Sequence, residues 1–276
     1  GAHQRNGAVE RVEQKGRADA RLQLGQPCRG GSRGAPARAQ YQLRQTLVFL
    51  DGRPVNKPEV MIAQAQNKFA DGKLTDEAAG KLYWSDREGM AIQRCNLDGS
   101  QLETLVVTGN PATDKGDQSR WCVGIALDPR RGHLYWTQKG GDNSGQGLIR
   151  RVNMQTPAGS TPTNRRDMIT LFSRMPEPID LDLDLATRTM YWTDRGDNTL
   201  SSAPMDPAPG YDPATRMDRK ILLRNLREAI GVALDLPRKR LAWTNLEGDV
   251  GLSNLDGSDS RILLKGQGML TGICWA

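Results

Sequence analysis

The run Ile179-Asp-Leu-Asp-Leu-Asp184 places Asp180, Asp182 and Asp184 two residues apart. In an extended strand such residues share one face. Three carboxylates there repel one another unless each is paired or they share a cation. Glu177 stands three residues before Asp180. Glu177, Asp180 and Asp182 are therefore a candidate oxygen-ligand set for a divalent cation. Arg120 and Trp121 precede a matching apolar run, Val123 to Asp128. Together with Glu177 and Asp180 they form a candidate site for a cationic or polar ligand. A plainer reading competes with both. Asp184 recurs as Asp128 and Asp235 at the ends of equivalent runs, which marks a turn residue and leaves only two unusual carboxylates.

Other chemistries find less support. The histidines are His3 and His133, the first near the N-terminus and the second in an expected turn. No Ser/His/Asp or Cys/His set can be assembled from them. Cys28, Cys95, Cys122 and Cys274 are far apart and contain no C-x-x-C pair, so zinc is not expected. Three of the four fall in expected strands, where a buried free thiol is the plain reading. Gly140 to Gly147, GGDNSGQG, resembles a phosphate loop in composition, but it lies between two expected strands. A phosphate loop needs a helix after it, so this segment reads as a hairpin loop.

The elements that position these residues repeat. KLYWSD (81–86), HLYWTQ (133–138), TMYWTD (189–194) and RLAWTN (240–245) place Trp84, Trp136, Trp192 and Trp243 at steps of 52, 56 and 51 residues. A long fixed period signals a propeller or a solenoid. Each copy opens with an apolar run, VGIALD (123–128), IDLDLD (179–184) or IGVALD (230–235), and a turn leads to the aromatic strand. A third strand follows, such as AIQRCNL (91–97) or DVGLSNL (249–255). An LDGS turn at 97–100 and 255–258 then leads to LETLVV (102–107) and SRILLK (260–265). Four short strands per copy make a meander, and stacked meanders make a propeller. Tyr and Trp at adjacent positions bury on opposite faces of a strand, which suits a sheet sandwiched between neighbours.

These residues resemble the YWTD repeats of the low-density-lipoprotein-receptor class of six-bladed β-propellers, over about residues 74–276. The chain is thus expected to be all-β, a YWTD-type β-propeller that is incomplete. It has about four recognisable blades, near 78–120, 121–178, 179–229 and 230–270, and the start of another at 271–276. The resemblance makes Tyr83, Trp84, Asp86, Tyr135, Trp136, Tyr191, Trp192, Asp194 and Trp243 structural repeat positions, with Asp86 and Asp194 bonding between blades. It places the candidate site at the mouth of the central channel. Propeller hydrolases of the lactonase type bind a divalent metal there through Glu, Asp and Asn.

Residues 37–77, from ARAQYQLRQTLVFLD to LTDE, show leucines at helical spacing (Leu43, Leu47, Leu50) and then a strand-like PEVMIAQA. They resemble the C-terminal section of the NADPH-dependent FMN and quinone reductases, a short α/β flavodoxin-like fragment. The strand and loops that grip FMN in that family have no counterpart, so FMN binding is not expected. Residues 1–36 fit neither pattern and read as a disordered or out-of-frame segment. LTDEAAGKLYW shares letters with the reductase end and the propeller start, so the chain reads as a chimera joined there.

Charge follows the same division. Residues 1–73 hold 13 of the 38 basic and 6 of the 32 acidic residues, a net of +7. The remainder nets −1. The arginines are scattered among Gly, Ala and Gln without stacking aromatics, so nucleic acid is not an expected partner. No apolar stretch approaches the length of a membrane span, and no signal-peptide pattern is seen, which reads as a cytoplasmic chain without a membrane role. The expected function is a non-catalytic binding module for an unknown protein or small-molecule ligand. A metal-dependent propeller hydrolase is the alternative, and an inactive fragment of an NADPH-dependent FMN/quinone oxidoreductase the second. No cofactor is expected beyond the candidate divalent cation. Open blade edges are expected to promote self-association.

Overall fold

The structure is a computed structural model that describes residues 22–24, 79–96, 99–270 and 272–275. The readings made for the rest of 1–78, including the reductase-like segment, lie outside the described residues. A three-residue strand, β1 (Leu22–Leu24), comes first. Four antiparallel meanders follow. Blade 1 has β2 (Lys81–Asp86), β3 (Ala91–Asn96) and β4 (Glu103–Val107). Blade 2 has β5 (Cys122–Asp128), β6 (His133–Gln138), β7 (Gly147–Asn153) and β8 (Ile169–Met175). Blade 3 has β9 (Pro178–Asp184), β10 (Thr189–Asp194), β11 (Thr199–Pro204) and β12 (Lys220–Leu223). Blade 4 has β13 (Ala229–Asp235), β14 (Arg240–Asn245), β15 (Val250–Asn254) and β16 (Arg261–Leu264). Finally, β17 (Ile273–Trp275) lies beside β13 and pairs antiparallel with β1, Leu22 opposite Trp275.

Every blade pairs its strands in sequence order. The inner strands β5, β9, β13 and β17 lie side by side along an arc. Among the described residues no helix is long and apolar enough to cross a membrane.

The aromatic pair explains the stacking. Tyr83 shares a buried cluster with Trp136 of the next blade, Tyr135 with Trp192, and Tyr191 with Trp243. Tyr thus faces forward and Trp backward, and each interface buries one of each. Ala242 stands where the fourth Tyr would be, and β17 covers it through Ile273. The cross-strand partner changes with the blade. Trp243 lies over Gly251, where a Cβ would come within 2.0 Å of the indole.

The last four residues of each aromatic strand, 83–86, 135–138, 191–194 and 242–245, form a tetrad whose third residue joins the blades. The Ser85, Thr137 and Thr193 hydroxyls donate to the carbonyls of Val123, Ile179 (2.5 Å) and Ile230 (2.6 Å), one equivalent position in each following blade. The Thr137, Thr193 and Thr244 hydroxyls also accept from Gly124, Asp180 and Gly231 of their own inner strands. All four hydroxyl residues are buried.

The fourth residue works differently from the sequence reading. Asp194 Oδ1 accepts from the amides of Glu177 (2.9 Å), Gly196 (3.0 Å) and Asp197 (3.4 Å), which tie its own hairpin to its own inner strand. Asp86 Oδ1 accepts from Gly89 (2.8 Å) in its own turn. The Asp194 bonds therefore stay within a blade, and the hydroxyl one residue earlier makes the crossing. The reason is geometric: alternate strand residues point to opposite faces, and the fourth residue sits where the strand turns. His133 is the first residue of β6 rather than a turn residue. GGDNSGQG is the β6–β7 hairpin loop, with Gly140 and Gly145 at positive φ.

Candidate functional site

The end expected to form the channel mouth is the one where inner strands begin and aromatic strands finish. Two sets of residues meet there. One immediately precedes or opens each inner strand: Trp121, Glu177 and Glu228. The other immediately follows each tetrad: Arg87, Lys139, Arg195 and Leu246. Backbone bonds fix them against each other, because Lys139 N–H donates to Trp121 O (3.0 Å), Arg195 to Glu177 (2.9 Å) and Leu246 to Glu228 (3.2 Å).

Side chains then link each blade to the next. The Arg87 guanidinium lies 4.5 Å over the Trp121 ring centroid. Lys139 Nζ pairs with Glu177 of the following blade. Arg195 Nε reaches Glu228 of the following blade at 3.8 Å. It also pairs with Glu177 at 3.2 Å. Asp142 in the β6–β7 loop binds Lys139 Nζ (3.0 Å) and Arg195 (3.3 Å). The Lys139 hydrogen bond, reinforced by its charge, holds the Asp142 carboxyl below the usual carboxylate range. Glu177 and Lys139 are almost wholly buried. These residues form a curved row of alternating cations and acceptors that runs from Arg87 to Glu228.

The sequence-selected residues fall into three places. Trp121 and Glu177 belong to the row. Arg120 is on its outer side, with Nη1 donating to the Thr108 carbonyl (3.0 Å) and Nε pairing with Asp117 (3.2 Å). Asp180 and Asp182 lie deeper, on β9. Asp180 Oδ2 accepts from Val232 N–H (3.1 Å) and Asp182 Oδ2 from Leu234 N–H (3.2 Å), both on the next inner strand. Their other oxygens accept from Leu181 (3.0 Å) and Leu183 (2.9 Å). Blade 2 has Gly at the position of Asp180, and a Cβ there would come within 2.6 Å of the Ile179 carbonyl. Adjacent inner strands are thus close at this level, and the two aspartates bridge them with carboxylate–amide bonds.

The proposed cation set is therefore not assembled. Glu177 is ion-paired with Lys139 and Arg195, while Asp180 and Asp182 each span to a neighbouring backbone. Among the described residues no group of three His, Cys, Asp or Glu side chains is placed to hold a metal ion. Asp128, Asp184 and Asp235 take the plainer role, since each carboxylate accepts turn amides from Arg131, from Ala186 and Thr187, and from Arg238. Cys122 is a fully buried thiol whose pKa burial pushes up to about 12, which leaves it unreactive.

The sequence reading missed Arg87, Lys139, Arg195 and Glu228. The signal was available: three of the four tetrads are followed at once by a basic residue, in SDR, TQK and TDR.

No family model matches the chain. It is 41% identical over 214 residues to the 3-hydroxyacyl-CoA dehydrogenase-like protein LAM1 of Cochliobolus heterostrophus, covering 74% of this chain and 45% of that one. It is 41% identical over 202 residues to low-density lipoprotein receptor-related protein 1 of Pyricularia oryzae, covering 71% of this chain and 64% of that one. The chain thus spans less than two thirds of either relative. A further 64-residue match, at 62% identity, is to the NAD(P)H-dependent FMN reductase PA1204 of Pseudomonas aeruginosa, covering 23% of this chain and 35% of the reductase. Among solved structures, the nidogen/laminin complex contains a chain that matches with a TM-score of 0.51 and 21% identity, over 71% of this chain and 69% of that one. The blades therefore form a YWTD-type β-propeller.

Proposed function

We propose that this YWTD-type β-propeller is a non-catalytic module that binds a protein partner through the row of residues at its channel mouth. One observation carries the reading. The other charged groups there are tied up in ion pairs with one another, which leaves a half-buried, Arg-capped tryptophan, Arg87 over Trp121, as the distinctive feature. Trp and Arg are the residues most enriched at the centres of protein interfaces. The receptor-related name of one relative and the protein complex that holds the structural neighbour support a protein rather than a small molecule as the ligand. The hydrolase alternative would need a cation site that the described carboxylates do not form. The reductase reading would need an FMN cradle with no counterpart in this sequence, so the purified protein is expected to be colourless.

Two measurements test this. A photo-crosslinking residue at position 121 is expected to trap a protein from the source organism. The same residue at Arg130, an exposed position at the opposite end, is expected to trap none. Equal trapping from both ends would remove the argument for the mouth. In parallel, calcium and zinc are expected to leave the Tm unchanged, and lactones to go unhydrolysed with or without chelator. Cation-dependent turnover abolished by Asp180→Ala would establish the hydrolase instead.

A further inference from the structure

Guanidinium groups join the described blades at two levels. The outer level is a pair of straps. The β7–β8 connection contains Pro162-Thr-Asn-Arg165-Arg-Asp167, and the β11–β12 connection Pro213-Ala-Thr-Arg216-Met-Asp218. Both have the spacing Pro-x-x-Arg-x-Asp, and both cross to the outer strand of the preceding blade. Arg165 donates to the Leu105 carbonyl (2.9 Å) and Arg216 to the Leu171 carbonyl (3.3 Å). The aspartate of each motif holds its own guanidinium, Asp167 at 2.8 Å and Asp218 at 2.8 Å.

The inner level lies at the end of the blades opposite the mouth. There the residue paired across from the tetrad tyrosine is Arg94, Arg151 and Ser202 in turn. The matching positions in the following blades are Gln155, Asp206 and Asp256. Each follows a residue, Met154, Met205 or Leu255, whose N–H donates to the carbonyl of Gly132 (2.7 Å), Arg188 (2.9 Å) or Lys239 (3.0 Å). Those three carbonyl residues share a positive φ, which marks them as equivalent.

An arginine closes two of the three interfaces. Arg94 Nη1 donates to the Tyr83 hydroxyl (3.3 Å) and Nη2 to Gln155 Oε1 (3.0 Å). Arg151 Nη1 donates to the Tyr135 hydroxyl (3.3 Å) and to Asp206 Oδ1 (3.2 Å). Arg131 and Arg188 also pair with Asp206, at 2.8 and 2.9 Å, and Arg188 pairs with Asp128.

Between blades 3 and 4 each of these arginines is replaced. Thr187 stands for Arg131, Ser202 for Arg151 and Lys239 for Arg188. The acceptors remain. Tyr191 is 6% exposed, and among the described residues its hydroxyl has no hydrogen-bond partner. Asp184, in the place of Asp128, is equally buried. It accepts from Ala186 and Thr187 of its own turn, and Asp256 accepts from Ser258 of its own. Among the described residues neither carboxylate has an ion-pair partner. Burial raises the Tyr191 phenol above its ordinary pKa, and the Asp184 and Asp256 charges beside it add to the shift. Two carboxylates and a buried hydroxyl are thus arranged as between blades 2 and 3, without the guanidinium that joins them there.

We propose that the slot formed by Tyr191, Asp184 and Asp256 binds the guanidinium group of a small external molecule, which takes the place that Arg151 holds one interface earlier. The guanidinium donates to the Tyr191 hydroxyl and the Asp256 carboxylate, and Asp184 supplies a second negative charge. A planar fork of donors suits such paired acceptors, where an ammonium acts only as a point charge. The slot is at the far end from Trp121 and stands independently of the partner proposed there.

The probe is agmatine, titrated into the full chain by isothermal titration calorimetry. Saturable binding is expected, weakened about tenfold or more by Asp256→Asn and by Tyr191→Phe, each of which removes one contact. Putrescine carries an ammonium where agmatine carries the guanidinium, and should bind about tenfold more weakly for lack of the fork. Ser202→Arg supplies the guanidinium from within, so it should abolish binding and raise the Tm measured without agmatine. Circular dichroism confirms that each variant is folded. Asp256 is exposed, so Asp256→Asn tests the slot even where Ser202→Arg fails to fold. Absence of saturable binding to the folded wild-type chain overturns the proposal, as does binding that Asp256→Asn leaves intact or that putrescine matches. Binding that appears only in Lys239→Ala would mean that Lys239 fills the slot, which also overturns it.

Discussion

At the level of single residues, the fourth tetrad position shows how one side chain sets a pH response. Gln138 and Asn245 donate from their amide nitrogens to the Ser119 (2.5 Å) and Leu226 (3.0 Å) carbonyls, each three residues before the inner strand. The equivalent carbonyl in blade 3 belongs to Met175. Asp194 has a donor for it only when protonated, and its Oδ2 is buried without a hydrogen-bond partner. Burial, with Asp197 nearby, raises the Asp194 pKa to about 7. In the unfolded chain an aspartate titrates near 4. Between roughly pH 4 and 7 the folded state therefore holds a proton that the unfolded state has lost, and stability falls as pH rises through that window. Asp194→Asn keeps the Oδ1 acceptor and adds a permanent donor, as Asn245 does in blade 4. It is expected to gain roughly 1–3 kcal/mol at pH 8 relative to wild type and little at pH 4, read from urea midpoints. An equal change at both pH values would disprove the protonation argument.

At the level of elements, the straps are where stability is concentrated outside the blade cores. Arg216 is buried, holds Asp218, donates to the Leu171 and Pro204 carbonyls, and lies 4.2 Å over the Phe172 ring centroid. Arg216→Ala removes the guanidinium and leaves these acceptors facing a void, with an expected loss of about 2–4 kcal/mol. Lys supplies charge without the planar fork, so Arg216→Lys should recover less than half of that. Full recovery by Lys would show that charge alone matters. Much of this level could be read from sequence. The aromatic tetrads and the apolar runs are local patterns, and each falls on the strand expected for it. The straps could not be read the same way. Pro-x-x-Arg-x-Asp recurs only twice, within irregular connections, and its partners are carbonyls in another blade. Asp180 and Asp182 show the same limit. Their alternation placed them on one face, but only packing shows that the next inner strand is close enough to offer amides.

At the level of the whole molecule, each blade gains its burial from two neighbours, and the described blades form an arc with two ends. Blade 3 has both neighbours. Blade 4 has β17 and β1 on its far side, and its outer strand is exposed. Hydrogen exchange is expected to be slowest in β9 and β10 and faster in β15 and β16, because opening free energies follow buried contacts. Uniform protection across the four blades would show that the arc behaves as one cooperative unit. The residues at the channel mouth illustrate what sequence could not supply at this scale. Arg87, Lys139 and Arg195 are ordinary basic residues until the curvature brings each against the following blade.

The tetrad hydroxyls have a further consequence. Ser85, Thr137 and Thr193 each donate to the next blade, at the same carbonyl every time. None of these links specifies how many blades there should be. The joint is a grammar rather than a blueprint: it governs the succession of neighbours and sets no stopping point. A gene encoding such joints can gain or lose a copy without rewriting any other. The number of blades is then a record of duplication and loss in its history, tolerated by the bonding rather than dictated by it.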